Sequence, residues 1–538
     1  MKMTSWNEIF IPIIFILVGA SAHASGTDLG IALKARFSQK ILFQENVRLM
    51  QESKVRKFYD KNGYTPVWYS SDSASENALT LLDRLRHSRE DGLRPREYHV
   101  SILNELLSHS EQKINEKIDA ELLLTDSFIN YVDHLLYGRT RPALADPEWH
   151  IFRQEDNDAE SLLAQLSHAR SVNSLLDEAA PQEPDYQRLR AKLKSYLAIR
   201  DFGGWKLSQE GRALKLGERG KVVQQLNKLL MLTADLAENS KADVLFDEVM
   251  SAGLVRFQLR HGLTPSGVLD RATRKALSIS VNERIIQIEL NMERWRWLPR
   301  KFERPSIVVN APEFKLEVLE KKGTPLAMKV VIGKQLRRTP VFEGRIETMV
   351  VNPKWVVPDR IAVEDLLPAI KKNPGILKRK GFRVYRWKGT RLVELASRKI
   401  QWKNITPDNF NFQLVQDPGP QNVQGKFKFI FPNNYGVYIH DTPSKGLFDR
   451  VFRTYSSGCI RVENASGLAE YFFKNREGKN WEQIQESVKK GSTLEISVEP
   501  QVAVYLLYWT AWVGEDNLLN FRNDIYGRDA LLRSVLAY

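Results

Sequence analysis

One cysteine and one histidine are the residues of this chain best suited to nucleophilic catalysis. Cys459 is the only cysteine among 538 residues, and it lies in the string Ser456-Ser457-Gly458-Cys459-Ile460-Arg461. His440 is the only histidine between residue 300 and the C-terminus. A thiol attacks a carbonyl carbon once a nearby imidazole has taken its proton. The pair predicts covalent acyl transfer, although an unpaired cysteine is most often a buried, inert side chain.

The residues around Cys459 fit this chemistry. Gly458 permits unusual backbone angles and a close approach by a substrate. The backbone N–H groups of Gly458 and Cys459 could together bind a developing oxyanion, and the nearby cation of Arg461 would favour the thiolate. The imidazole of His440 also needs an acceptor for its second nitrogen. No dedicated carboxylate is evident, so a backbone carbonyl is expected, with Asp441 the nearest candidate.

The segment before His440 predicts a strand that presents side chains to a cleft. Because side chains alternate along a strand, Val437 and Ile439 share one face while Tyr438 and His440 share the other. The apolar pair can face the core, which leaves the tyrosine and the histidine toward the substrate. We expect Tyr438 and Trp355 to line the cleft, although packing in the core would explain both aromatic rings equally well.

A resemblance to a known family is carried by two segments. His440-Asp441-Thr442-Pro443 and Ser456–Arg461 resemble the signature of the L,D-transpeptidase catalytic domain, a histidine followed after a gap by Ser/Thr-x-Gly-Cys-x-Arg. The similarity extends over most of residues 300–500. Many members have a histidine just before the Gly-Cys pair, and Ser457 stands there in this chain. His440 is therefore the one candidate base, and Ser457 is expected to form a hydrogen bond.

The resemblance implies a reaction on peptidoglycan stem peptides. Cys459 would attack the L,D peptide bond after the third residue of a tetrapeptide stem, release D-Ala and form a thioester. An amine on a neighbouring stem, usually that of diaminopimelate, would then complete a 3→3 crosslink. Thr442 is expected to contact the substrate, and a carbapenem is expected to acylate the thiol. No metal or other cofactor is implied.

Two other functions remain open on the residue types alone. A cysteine L,D-carboxypeptidase or amidase would use the same nucleophile and base, with water as the acyl acceptor. A catalytically inactive scaffold that binds the cell wall would need neither residue, and both are intact. The sequence does not separate transfer from hydrolysis.

The sequence predicts a multidomain α+β protein. Residues 27–205 have the apolar spacing of helices, whereas residues 300–500 are rich in strands, interrupted by a helical and basic stretch at 360–405. The predicted parts are a helical scaffold domain over 27–205, a three-helix domain over 211–280, a catalytic domain over 300–500 with an inserted lid over 360–405, and a C-terminal segment over 501–538 that packs on the body.

Residues 211–280 resemble the peptidoglycan-binding domain of many cell-wall enzymes. The resemblance rests on three short helices, with Gly217 and Gly220 leading into the first, a turn at Gly267 before the third, and Asp270 as the predicted N-cap of the third helix. A three-helix spacer without a ligand would show the same helix-core and turn residues. The ligand of this unit is therefore an expectation from the resemblance.

Charge and the N-terminus indicate where the chain acts. Lysine and arginine number 79 against 65 aspartates and glutamates, a net charge of +14 that suits an anionic partner. No basic block indicates nucleic acid, and a membrane surface, an acidic polymer or a merely solubilising surface charge all fit the excess. The resemblance implies a wall polymer that carries carboxylates, with other wall-synthesis proteins as further partners. Residues 1–24 contain a short apolar run, Ile9–Val18, and end Ala22-His23-Ala24, as in a signal peptide. The order of a helical region, a peptidoglycan-binding-like domain and a catalytic domain with an insertion resembles that of the large periplasmic L,D-transpeptidases of Gram-negative bacteria. If residues 1–24 are not cleaved, they would instead anchor the chain in the inner membrane.

Overall fold

The computed structural model describes residues 24–39, 43, 47–70, 73–153, 159–168, 170–237, 244–473 and 481–538. The predicted signal peptide or anchor lies outside these residues except for Ala24. The described residues form two compact units. The first is drawn from Met1–Arg89, Leu93–Leu136 and Glu155–Ala180, and the second from Glu90–Gly92, Tyr137–Gln154 and Pro181–Tyr538.

The helices have the following bounds: α1 Ala24–Phe37, α2 Glu52–Lys61, α3 Glu76–Arg86, α4 Val100–Ser108, α5 Ile114–Tyr137, α6 Pro142–Ala145, α7 Ala159–Ala164, α8 Val172–Ala179, α9 Pro184–Asp201, α10 Lys221–Leu232, α11 Glu248–Arg260, α12 Arg271–Leu277, α13 Val281–Arg296, α14 Asp359–Ile361, α15 Leu367–Lys372, α16 Gly375–Arg379, α17 Ala465–Phe473, α18 Trp481–Lys490 and α19 Arg528–Val535. Within the described residues, none of them is both long enough and apolar enough to cross a membrane.

The strands have the following bounds: β1 Tyr69–Ser70, β2 Ser73–Ala74, β3 Ser306–Asn310, β4 Lys315–Leu319, β5 Leu326–Gly333, β6 Phe342–Val351, β7 Trp355–Val356, β8 Phe382–Lys388, β9 Arg391–Leu395, β10 Gln413–Gln416, β11 Phe427–Ile430, β12 Ile439–His440, β13 Thr454–Ser456, β14 Ile460–Val462, β15 Leu494–Leu507, β16 Ala511–Val513 and β17 Leu519–Phe521. Mixed helix and sheet content agrees with the predicted α+β class.

The first unit is mainly helical, with the small β1–β2 hairpin as its sheet. Helix α5 is buried along most of its length. Its Glu121 carboxylate accepts hydrogen bonds from the Tyr59 hydroxyl and from the backbone N–H groups of Val67 and Trp68. These bonds hold the segment before β1 against the helix. Helix α9 belongs to the second unit, so the helical region predicted over 27–205 is divided between the two.

Three helices in the second unit, α10, α11 and α12, share one apolar core. Gln258 joins α11 to the turn before α12 and to α12 itself, because its amide accepts from Gly267 N–H and donates to the Val268 carbonyl and the Thr273 hydroxyl. The predicted N-cap Asp270 is confirmed, since its carboxylate accepts the Thr273 N–H at 2.7 Å. The glycine turns and the cap therefore produce the expected three-helix arrangement.

A nine-stranded sheet forms the core of the strand-rich region. Its order is β13-β5-β14-β12-β11-β6-β15-β3-β4, and β4 also pairs with β5, so the sheet closes on itself. The inward side chains of its strands are almost fully buried, as the alternation in β4 illustrates. Strands β14, β12 and β11 are neighbours in this order. These three strands carry or border the predicted catalytic residues.

The C-terminal segment contributes to this sheet instead of only packing on it. Strand β15 runs across the predicted boundary at residue 500, and Ala503–Leu507 pairs with β3 while Val502–Leu506 pairs with β6. Farther along, the Tyr526 hydroxyl donates to the Gly333 carbonyl at the end of β5 at 2.6 Å. The apolar character of residues 502–507 reflects burial in the sheet.

The insertion is a subdomain with its own sheet, of order β7-β10-β8-β9. Its core includes Trp355, Leu367, Trp402 and Leu414. The subdomain therefore extends from about Trp355 to Gln416 and is wider than the predicted 360–405. The predicted range also contains the β8–β9 hairpin, whose basic side chains mask the strand pattern in the sequence.

Asn422 fastens the base of the insertion. Its buried amide donates to the carbonyls of Pro353, Gln416 and Asp417 at 2.9, 3.3 and 3.0 Å. These bonds join the segment that enters the insertion to the segment that leaves it. A buried carbonyl without a partner costs about 1–3 kcal/mol.

We therefore predict that Asn422→Ala loosens the insertion. Hydrogen–deuterium exchange in β8 and β10 should accelerate, because three carbonyls lose their donor. Asn404→Ala, at an exposed position of the same subdomain, is the control and should leave exchange unchanged. Equal exchange in the two variants would show that Asn422 does not hold the junction.

Candidate active site

Three polar residues form a row across the catalytic sheet. In the parallel pair β12–β14, His440 is the partner of Arg461. In the antiparallel pair β11–β12, His440 is the partner of Lys428. Directly paired residues point to the same face of a sheet. Arg461, His440 and Lys428 therefore lie side by side on one face.

Cys459 lies at the start of β14, beside Tyr438. The N–H of Ile460 donates to the Tyr438 carbonyl at 3.0 Å, which keeps the two segments in register. The Cys459 thiol is half-buried and lies 3.6 Å from the Gly436 carbonyl. The fold thus brings together four of the predicted site residues: Cys459, His440, Tyr438 and Arg461.

Hydroxyl groups hold the loop that carries the thiol. Ser456 Oγ accepts the Gly458 N–H at 3.1 Å and donates to the Cys459 carbonyl at 2.6 Å. Thr339 Oγ1 donates to the Gly458 carbonyl at 2.8 Å. Gly458 has a φ of +116°, an angle that other residues rarely adopt. The glycine therefore serves the loop through its backbone conformation, as predicted.

The expected pair of oxyanion donors is not available as a pair. The Gly458 N–H is already bonded to Ser456 Oγ. The Cys459 N–H, in contrast, has no hydrogen-bond partner among the residues that the structure describes. The reason is the turn of the loop, which directs the glycine N–H toward the preceding serine. Of these two N–H groups, only that of Cys459 can bind an oxyanion without breaking an existing hydrogen bond.

His440 is oriented by a backbone carbonyl. Its Nδ1 lies 2.6 Å from the carbonyl oxygen of Asp441. Because a carbonyl can only accept, Nδ1 carries the proton and Nε2 has a free lone pair. The Asp441 carboxylate accepts the Lys426 N–H at 2.9 Å and pairs with Lys445 at 2.8 Å. Asp441 thus acts through its main chain, while its side chain anchors the turn.

The environment keeps His440 neutral. The side chain is 5% exposed. Burial, together with the positive charges of Arg461 and Lys428, lowers the pKa of His440 to about 3. A neutral imidazole at ordinary pH is able to accept a proton.

The thiol is also uncharged at rest. Burial raises the pKa of Cys459 above its ordinary value, while hydrogen bonds from Tyr438 and the charges of Lys428 and Arg461 act in the opposite direction. The resting pair is therefore a thiol and a neutral imidazole, not a thiolate and an imidazolium. Ionisation of the thiol has to accompany substrate binding or attack.

Ser457 connects the thiol loop to the insertion through Arg337. The Arg337 guanidinium donates to Ser457 Oγ at 2.8 Å and forms ion pairs with Glu364 and Asp365. These carboxylates lie in a π-helical turn, Ala362–Leu366, at the start of the insertion. Ser457, expected to form a hydrogen bond, thus receives one from a buried arginine that also holds the insertion.

Tyr438 is positioned by Gln424 and has Trp355 as a neighbour. Gln424 Nε2 donates to its hydroxyl at 2.7 Å. Trp355 is 7% exposed in the core of the insertion, and its side chain helps to counter the burial that raises the pKa of the Tyr438 phenol. Trp355 therefore reaches the site through the tyrosine and not as an open wall of a cleft.

The placement of Thr442 does not suit the predicted contact with substrate. The residue is 2% exposed, and its hydroxyl accepts the Ser444 N–H at 3.2 Å. The side chain closes the turn that follows β12. Its burial argues against a direct role in binding.

Sequence reasoning missed Lys428, Arg337 and Gln424. Lys428 could have been noticed as the charged residue of an aromatic strand, but its pairing with His440 depends on the sheet register. Arg337 lies far from the motif along the chain, and the hydrogen bond of Gln424 to Tyr438 depends on how the chain folds back before β11. Among the described residues, no group of three or more His, Cys, Asp or Glu side chains could hold a metal ion.

Three family comparisons match separate parts of the chain. Residues 53–193 match a family described as "Scaffold domain", and residues 217–277 match one described as "Putative peptidoglycan binding domain". Residues 304–496 match the "L,D-transpeptidase catalytic domain". The last range contains every residue of the row described above.

One relative and two solved structures are also similar. A Haemophilus influenzae protein described as "Putative L,D-transpeptidase" is 34% identical over 245 residues, 45% of this chain and 48% of the relative, so the match spans about half of that protein. An L,D-transpeptidase from Xylanimonas cellulosilytica aligns at 13% identity with a TM-score of 0.17, over 55% of this chain and 98% of that one. A fused Zn-dependent amidase/peptidase/peptidoglycan-binding protein from Clostridium acetobutylicum aligns at 11% identity and a TM-score of 0.15, over 55% and 100%. TM-scores this low support no conclusion about the fold.

We predict that Arg337→Met releases the thiol loop and the insertion together. Hydrogen exchange should accelerate in both Ala362–Leu366 and Ser456–Cys459, because a single side chain holds them. The matched control is Arg360→Met, which removes a different ion pair to Glu364 at 2.9 Å but has no link to Ser457. Faster exchange in the insertion alone would refute the connection.

We also predict the pH dependence of thiol alkylation. A raised thiol pKa means a smaller thiolate fraction at pH 7 than in an ordinary cysteine, so labelling of Cys459 should be slow there. The rate should rise about tenfold per pH unit until the raised pKa is reached. Intact mass after iodoacetamide treatment measures the rate. A plateau already reached at pH 6–7 would instead indicate a resting thiolate–imidazolium pair.

Proposed function

We propose that this chain, which contains a match to the L,D-transpeptidase catalytic domain over residues 304–496, is a cysteine acyltransferase that forms 3→3 crosslinks between peptidoglycan stems. The observation that carries the proposal is the sheet face on which Cys459 and His440 lie together. There the Asp441 carbonyl leaves Nε2 of the neutral imidazole free to act as a base.

Acylation begins with proton transfer from Sγ of Cys459 to Nε2 of His440. The sulfur attacks the carbonyl carbon of the third stem residue, and the carbonyl oxygen becomes an oxyanion. The carbon–nitrogen bond to D-Ala then breaks, and His440 returns the proton to the leaving amine. The products are a thioester on Cys459 and free D-Ala.

Two groups are placed to bind the oxyanion. One is the free N–H of Cys459. The other is the Tyr438 hydroxyl: because Gln424 donates to its oxygen, its own proton is directed elsewhere, and the phenol lies near enough to Cys459 for each group to affect the pKa of the other. The Tyr438 hydroxyl thus takes the role of second oxyanion donor, for which the sequence had suggested the Gly458 N–H. Donors of this type are the largest single contribution in many acyl transfers.

Deacylation uses the same groups in reverse. The amine of a neighbouring stem loses a proton to His440 as it attacks the thioester carbonyl. The carbon–sulfur bond breaks, and the thiolate recovers that proton. Transfer to an amine requires that water be limited at the thioester. Arg337 bonds to both the thiol loop and the insertion, and this connection would let the inserted lid exclude water from the thioester.

Other features support a wall substrate. The match of residues 217–277 to a peptidoglycan-binding family supplies a module for retention on the polymer. The net charge of +14 suits a polymer that carries carboxylates. We place the protein in the periplasm, exported or anchored by residues 1–24, with a role in cell-wall synthesis and cell shape. Side chains supply all of the chemistry, so no cofactor is required.

We predict that Cys459→Ala abolishes crosslinking by removing the nucleophile. Tetrapeptide muropeptides should yield crosslinked dimers with wild-type protein and none with the variant, as chromatography and mass spectrometry would show. A carbapenem should add its mass to wild type but not to the variant. Tripeptide as the only product would favour the carboxypeptidase, and no reaction at all would favour the scaffold.

His440→Gln should lower the rate of D-Ala release by roughly 10²-fold or more, the usual contribution of a general base. Its amide preserves a donor toward the Asp441 carbonyl but cannot accept a proton at neutral pH. Single-turnover kinetics measure the step directly. A wild-type rate in this variant would remove the base assignment.

A further inference from the structure

Two cations beside the thiol have no anionic partner. Neither Lys428 nor Arg461 forms a hydrogen bond or an ion pair with any residue that the structure describes. Nε of Arg461 is buried without a partner. Lys428 Nζ lies 4.0 Å from the centre of the Tyr438 ring, a cation–π contact that leaves its N–H groups unused.

A buried cation without an anionic partner destabilises the folded protein. Burial lowers the pKa of both side chains, which shows that desolvation of each cation is not fully offset. The nearest carboxylates do not compensate. Glu495 acts on Lys428 only at a distance, and Asp441 is occupied by Lys445. The sheet face therefore has excess positive charge next to Cys459.

The two cations are placed to converge on one group. They flank His440 in the same row, two strand spacings apart, or roughly 10 Å between their Cα atoms. Both are long side chains, and the charges of both reach the sulfur and the imidazole. An anion held between them would lie over the catalytic pair.

We propose that Lys428 and Arg461 bind the free α-carboxylate on the nitrogen side of the scissile bond, that is, the carboxylate of the donor's terminal amino acid. This inference rests on the function proposed above. In a tetrapeptide donor, that carboxylate is two bonds from the nitrogen that leaves, so it must lie close to His440 when His440 protonates that nitrogen. No other unpaired cations among the described residues occupy this row.

The assignment explains two features of selectivity. A stem that ends in an amide, or that extends by one more residue, would leave the cations unpaired and bind less well. An acceptor amine enters where the leaving amine departed, and the amine of diaminopimelate is also attached to a carbon that bears a carboxylate. Water has no such group, so the same subsite would favour transfer over hydrolysis.

Binding to a protein that cannot turn over provides the test. Full-length Cys459→Ala would be titrated with a tetrapeptide acid and with its C-terminal carboxamide, by calorimetry. The acid should bind about 10- to 100-fold more tightly, the effect of charge-assisted hydrogen bonds. Adding Lys428→Met should remove most of this preference, whereas Lys428→Arg should retain it. Lys426→Met, which removes an exposed cation nearby, is the matched control and should change nothing.

Two results would overturn the assignment. One is equal binding of acid and amide by Cys459→Ala, which needs no further variant. The other is an equal loss of affinity for both ligands in Lys428→Met. Failure of the proposed function would look different: wild type would release no D-Ala and form no thioester, while the preference for the acid in the binding assay would persist.

Discussion

The parallel pairing of β12 with β14 is the constraint on which the site depends. It sets Ile439 opposite Ile460 and His440 opposite Arg461, and so brings the His440 imidazole to the thiol loop. Antiparallel pairing with β11 then adds Lys428 on the other side. A shift of one residue in either pair would turn these side chains to the opposite face. The closed sheet, completed by β15 and the C-terminal residues, holds that register.

Burial on this face determines the electrostatics of the reaction. The same desolvation that keeps His440 neutral also disfavours the thiolate, so the resting site is unreactive. Lys428 and Arg461 favour the thiolate but oppose the imidazolium. An incoming carboxylate between them would cancel the effect on the imidazole while His440 carries the proton. In this account the substrate itself completes the charge balance of the site, which limits reactions of the thiol when no substrate is bound.

The proximity of Cys459 and His440 and the contact of His440 with the Asp441 carbonyl could be predicted because these residues belong to a short motif. The unusual backbone angle of Gly458 could also be predicted from the motif. The partner of its N–H could not, since the hydrogen bond to Ser456 depends on how the loop closes. Lys428 and Arg337 could not be predicted, because strand register and the contacts of the insertion are long-range. The boundaries at 205 and 500 also differ for this reason: α9 packs in the second unit, and β15 is continuous across residue 500.

The central claim is that Cys459 carries the acyl group between donor and acceptor. Wild-type protein mixed with a tetrapeptide donor, with no amine acceptor present, would be quenched in acid within the first turnover and measured by intact mass and peptide mapping. We predict an added mass equal to the tripeptide acyl group, located on Cys459 and removed by hydroxylamine as a thioester would be. Release of D-Ala without any adduct on Cys459 throughout the first turnover would contradict the account.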